Sequence, residues 1–141
     1  MSKCHKSIKD RAKTRWLDRR IAAPGPFLTL CLSEGQFKAA IKHMRIPGEH
    51  PFVKTAHSQA TAHLFDGPGG LAAVVCLRDF EGRDPVEVAG ILVHEAVHVW
   101  QEYAAYIGEK APGVEQEAYA IQSIAQELMA EFARQQAGGR S

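Results

Sequence analysis

Between Asp84 and Gly108 the chain is written as one long helix, and that helix constrains everything else. Asp84 carries the short acceptor side chain of an N-cap, and Pro85 has the fixed φ suited to a first helical residue. Gly108 can adopt the left-handed conformation that ends a helix, so the predicted span is about 85–107. Its centre reads Ile91-Leu92-Val93-His94-Glu95-Ala96-Val97-His98-Val99-Trp100-Gln101 and embeds His-Glu-x-x-His in an apolar run. Residues four apart lie one turn apart on the same face, so His94 and His98 can direct two imidazoles at one metal ion. Glu95 stands about 100° round the axis from His94. It borders that face without joining it. A general base needs that position, within reach of water at the metal but outside the coordination sphere. Were the two histidines only part of a core helix, these polar side chains would need partners among Val, Ile, Leu and Trp.

The chain has 141 residues, enough for one domain around one core. It is 45% hydrophobic and 23% charged, the composition of a globular protein. No apolar run is long enough to span a bilayer, so no membrane partner is expected. The polar, basic N-terminus has no following apolar region, so a cytoplasmic location without a signal peptide is expected. Cys4, Cys31 and Cys76 are odd in number and lack Cys-x-x-Cys spacing, which points to reduced thiols.

The net charge of +1 hides an asymmetry. Residues 1–21 carry eight Lys and Arg against Asp10 and Asp18, a net of +6, and the remainder carries nine basic against 14 acidic residues, a net of −5. Such an arm can meet nucleic acid or an acidic partner. The plainer expectation is a solvated helix face that docks on its own domain through Ile8, Trp16, Leu17 and Ile21. No aromatic interleaving or nucleic-acid motif argues for the first alternative.

In chain order, residues 7–21 read as a helix, and Pro24-Gly25-Pro26 as a turn. Phe27 to Leu32 has strand character. Ser33 with Gln36 three residues on forms a capping-box pattern before a helix over 34–44, stopped by Pro47 and Gly48. Residues 47–59 read as loop. Thr61–Phe65 and Leu71–Leu77 read as strands joined through the turn chemistry of Asp66-Gly67-Pro68-Gly69-Gly70, pairing as an antiparallel hairpin. A last helix over 114–136 buries Val114, Ala118, Ile121, Ala125, Leu128 and Phe132. The expected organisation is a basic helical arm at 1–22, one α+β domain at 23–137 and a disordered tail at 138–141.

A catalytic zinc usually has three protein ligands. Glu102 lies one turn beyond His98 but on the same helix. Glu115 and Glu117 open the next helix, which can fold back beside the first, and periodicity leans towards Glu117. His94-Glu95-Ala96-Val97-His98 followed by Glu115-Gln116-Glu117-Ala118-Tyr119 resembles the glutamate zincins, most of all small metallopeptidase-like proteins encoded by phages and prophages. In that family the second motif reads Glu-x-x-Ala-Asp, and its first Glu binds zinc. The resemblance therefore implies Glu115 as third ligand, with Glu117 the alternative. Tyr119 stands where the family has an Asp that supports a zinc histidine. The resemblance covers about residues 84–130.

It implies a zincin-like fold: a small, mostly antiparallel sheet packed on the His-Glu-x-x-His helix, followed by a glutamate-bearing helix. An edge strand, 71–77 or 61–65, would line the cleft and pair with an extended peptide or protein substrate. It also implies zinc as cofactor and peptide-bond hydrolysis by a metal-activated water, with Glu95 as general base. Tyr103, Tyr106, Tyr119 and His63 are candidate oxyanion donors. Gln101, one turn from His98, is a candidate support for the ligand. The departure at Tyr119 and the small size also fit a catalytically weak or inactive phage protein that uses the zincin shape for binding or assembly.

Overall fold

A computed structural model describes residues 25–138. The predicted helix at 7–21 and the last three residues of the predicted tail lie outside them. The chain runs β1 (Phe27–Cys31), α1 (Glu34–His43), β2 (Ala60–Gly67), β3 (Gly70–Leu77), α2 (Pro85–Tyr106) and α3 (Val114–Gly138).

Local chemistry accounts for most of these boundaries. Ser33 Oγ accepts from the Gln36 amide at 3.2 Å, while Gln36 Oε1 reaches back to the Leu32 amide at 2.7 Å. The capping box is thus built one residue further back than its usual form. At α2, Asp84 Oδ1 accepts from the Val86 amide at 2.8 Å, with Pro85 in the first turn. The far end closes through Glu109 N–H to Ala104 O and Gly108 N–H to Ala105 O, with Gly108 at φ +76°. That is the Schellman pattern, and the positive φ is why a glycine stands there. The 47–59 stretch holds neither helix nor strand. Helix α3 continues through Ala137 to Gly138, one residue into the expected tail.

The sheet is mixed, in the order β1-β3-β2, rather than mostly antiparallel. Strands β2 and β3 form the expected hairpin, while β1 pairs parallel with β3 from Phe27↔Ala72 to Cys31↔Cys76. Gly67 sits at the hairpin end because a Cβ there would lie 2.7 Å from the Ile46 side chain and 3.1 Å from the Met44 carbonyl oxygen. Strand β3 is central, so of the two candidate edge strands only β2 lies at an edge.

Being central, β3 is buried on both faces, which is what its unbroken apolar run requires. Ala73, Val75 and Leu77 face Val88, Leu92, Ala96 and Val99 of α2 and Ala125 and Leu128 of α3. Val74 and Cys76 face Phe37 of α1 and Phe52 of the loop. The layers are therefore α1 with its loop, the sheet, and the α2–α3 pair. No helix among the described residues is long and apolar enough to cross a membrane.

Candidate metal centre

Helix α2 buries Val88, Leu92, Glu95, Ala96, Val99, Trp100 and Ala104. On a helical wheel those positions centre about 150° from the midpoint of His94 and His98. Both imidazoles are accordingly exposed, while Glu95 is buried at 5% exposure. The histidines therefore do not belong to the buried stripe, although their apolar neighbours in sequence suggest it. Glu95 is the polar group taken inside.

The two imidazoles converge. His98 Nε2 lies 3.1 Å from His94 Nε2, with the rings edge to face at 4.7 Å between centroids. Tetrahedral zinc with two imidazole nitrogens at about 2.0–2.1 Å sets those atoms about 3.3 Å apart. The two nitrogens are within hydrogen-bond distance of each other and close to that spacing. Gln101 Oε1 stands 3.2 Å from His98 Nδ1. An amide oxygen only accepts, so Nδ1 carries the proton and Nε2 of the neutral ring presents its lone pair outward. Gln101 is thus the side chain that meets the inner nitrogen of His98.

Glu95 lies between this flank and β2. Burial raises its carboxyl pKa above the ordinary value; His98, His94 and a hydrogen bond from the Ala62 backbone pull the other way, and Glu102 adds to the rise. Ala62 belongs to the edge strand, so that strand lies against the Glu95 carboxylate. That contact uses a backbone N–H, which no side-chain pattern announces. Further along the same contact, Tyr106 donates to Asp66 Oδ2 at 2.8 Å. Tyr106 is thereby tied to the hairpin.

The other expected residues lie elsewhere. His63 sits on the sheet face away from α2, stacked between Phe37 at 4.9 Å and Phe65 at 5.6 Å between ring centroids. Its Nε2 donates to the Phe52 carbonyl at 3.1 Å. Alternation along β2 explains this, because Ala62 and Leu64 take the face towards α2. Tyr103 is half-buried beside Trp100, on the side towards α3. Tyr119 is 66% exposed.

Glu117 accepts from Trp100 Nε1 at 2.8 Å. Trp100 follows His98 by two residues, about 200° round the helix. The first turn of α3 therefore reaches α2 on the flank away from the imidazoles, with Glu115 exposed beside it. Neither glutamate joins His94 and His98: among the described residues, no three His, Cys, Asp or Glu side chains gather to hold a metal ion. A sequence signal for the Glu117 contact exists, since a buried Trp needs an acceptor for its N–H. By donor chemistry the imidazole pair fits zinc, and the carboxylate expected from α3 does not reach it. Comparisons with protein-family models, curated proteins and solved structures find no match for the chain.

Proposed function

We propose that the chain is a zinc-dependent metallopeptidase, with His94 and His98 as metal ligands and Glu95 as general base. The observation that carries this reading is the 3.1 Å approach of two Nε2 atoms one turn apart, with a buried carboxylate beside them. Bound there, zinc supplies Lewis acidity, polarising a carbonyl and acidifying water. Glu95 takes the proton from water and passes it to the leaving amine, a task favoured by a carboxyl whose pKa is raised towards neutrality. The Ala62 N–H holds that carboxylate in place, and Gln101 fixes the His98 ring. The free side of β2 offers backbone groups to an extended peptide lying beside the site. With two protein ligands the ion is held more weakly than in a three-ligand site. Recruiting Glu115 or Glu117 as third ligand requires the first turn of α3 to leave the Trp100 flank.

A second reading, a zincin-like domain that binds or assembles with a partner without turnover, is favoured by one observation. No carboxylate from α3 meets the imidazoles. The deciding experiment is calorimetric zinc titration of the untagged, metal-stripped chain, alongside a peptide-cleavage assay. Expected are one ion per chain, loss of binding in His94→Ala and His98→Ala, and cleavage that needs the ion. Absence of binding, or binding undiminished in both histidine variants, overturns the metal centre. Binding without any cleavage selects the second reading.

A further inference from the structure

Two imidazoles leave half of a tetrahedral zinc ion's coordination open. Among the described residues no third His, Cys, Asp or Glu side chain gathers beside His94 and His98. What surrounds the pair decides what can come to it. Both histidines are exposed, and the other exposed positions of α2 from Gly90 to Gln101 are Gly90, Val93 and Gln101, none of them charged. Val93 is 38% exposed, an apolar side chain left in solvent next to His94. Gly90 lies one turn before His94 on the same side of the helix, and a Cβ there would meet nothing within 4 Å. The approach to the imidazoles is therefore open and uncharged. Glu102 borders it one turn past His98, on the side of Glu95, and brings a negative charge towards an ion held there.

We infer that a second copy of this chain supplies the remaining ligands: one zinc ion, held by His94 and His98 of two chains, joins them as a symmetric dimer. The dimer rests on the metal centre proposed above and adds a regulation to that site. A two-fold interface brings the same patch from each partner, so two donors that cannot enclose an ion alone become a set of four. In each chain the two Nε2 atoms already converge at 3.1 Å, and Gln101 leaves the His98 Nε2 lone pair outward. Helix α3 need not move, whereas recruiting Glu117 would part it from Trp100. An uncharged patch meeting its own copy meets no like charge to oppose it. Four imidazoles fill a tetrahedral ion, as in closed structural sites, and leave no position for water. The shared ion therefore holds both chains in a form that cannot hydrolyse. Mass action sets when that form prevails. With less than one zinc per two chains, the four-ligand site wins the ion; with zinc in excess, each chain takes its own and the water position reopens.

Sedimentation velocity of the untagged, metal-stripped chain across a zinc titration tests it. The expected record is a monomer without zinc and a dimer most abundant near one ion per two chains. Monomer should return as zinc passes one per chain, or when a chelator is added. His94→Ala and His98→Ala should each abolish the dimer; both positions are exposed, so helix content by circular dichroism should stay that of the wild type. Gly90→Lys puts a like charge from each copy into the open approach. It should cut the dimer several-fold, while calorimetry at saturation still counts one ion per chain. Zinc bound by a chain that stays monomeric throughout overturns the dimer and leaves the metal centre standing. A dimer that forms without zinc, survives in either histidine variant, or is undiminished in Gly90→Lys also overturns it. Absence of zinc binding overturns both.

Discussion

On one flank of α2 two imidazoles stand in solvent, held by each other and by Gln101. On the other flank Trp100 is buried at 5% exposure and spends its one donor on Glu117. The two flanks are written by the same few turns, yet one presents exposed imidazoles and the other a part-buried contact. The difference follows from which neighbour meets each side. Strand β2 runs beside the first and meets Glu95 through the Ala62 backbone. Helix α3 covers the second and brings an acceptor with it. A helix can therefore keep two imidazoles exposed while a carboxylate-rich helix packs against it, provided the packing comes from the other side.

Removing the proposed base gives the largest expected effect. Glu95→Gln should lower peptide hydrolysis by about 10²–10⁴-fold, while zinc binding by calorimetry stays that of the wild type. Cleavage at the wild-type rate would take Glu95 out of the chemistry. Next comes the closed flank. Trp100→Phe keeps one aromatic ring but removes the pyrrole ring with its N–H, leaving a small cavity and the Glu117 carboxylate without its donor, and costs about 2–3 kcal/mol in urea unfolding. Zinc affinity should not change, because Glu117 lies on the far side. A large fall in affinity would show that the contact positions α3 for the ion, and would break the comparison. Smaller again is Gln101→Leu. Loss of the acceptor that fixes the His98 tautomer should weaken zinc binding roughly tenfold and leave unfolding of the metal-free chain unmoved.

How much of this could be read in advance depends on the range of each interaction. The ends of α2 are set by Asp84, Pro85 and Gly108 acting on their own turn, and the β2–β3 hairpin by the Pro and Gly residues between its strands. Both are legible because cause and effect are neighbours in sequence. The placement of β1 beside β3, parallel, depends on a crossover of some forty residues that no local pattern reports. The glutamates show the same limit more sharply. A stripe such as Ala125 and Leu128 predicts that α3 packs, but not which flank of α2 it covers. That choice decides whether Glu115 meets the histidines or solvent. Glu95 and the histidines differ for a subtler reason. Rotation of α2 by a fraction of a turn, set by Val88, Leu92, Ala96 and Val99 seating on the sheet, buries the glutamate and exposes the imidazoles.

His63 offers the finest test of where the histidine flank ends. It shares β2 with Ala62 but faces the other side of the sheet, among Phe37, Phe65 and the Phe52 carbonyl. Burial lowers its pKa below the ordinary histidine value, with His50 and Lys54 adding to the fall and the Phe52 hydrogen bond and Glu102 opposing it. A folded-state pKa below the unfolded one means that the unfolded chain binds the proton more readily. The resulting stability is present above the unfolded value of about 6.5 and is lost as pH falls below it towards the folded value. His63→Gln should flatten that part of the unfolding free energy as pH falls below about 6.5, and leave zinc affinity unchanged at neutral pH. A residue belonging to the metal centre would do the reverse, changing affinity and leaving the acid limb of stability as it was. The measurement thus separates two imidazoles that face solvent from one that only shares their neighbourhood.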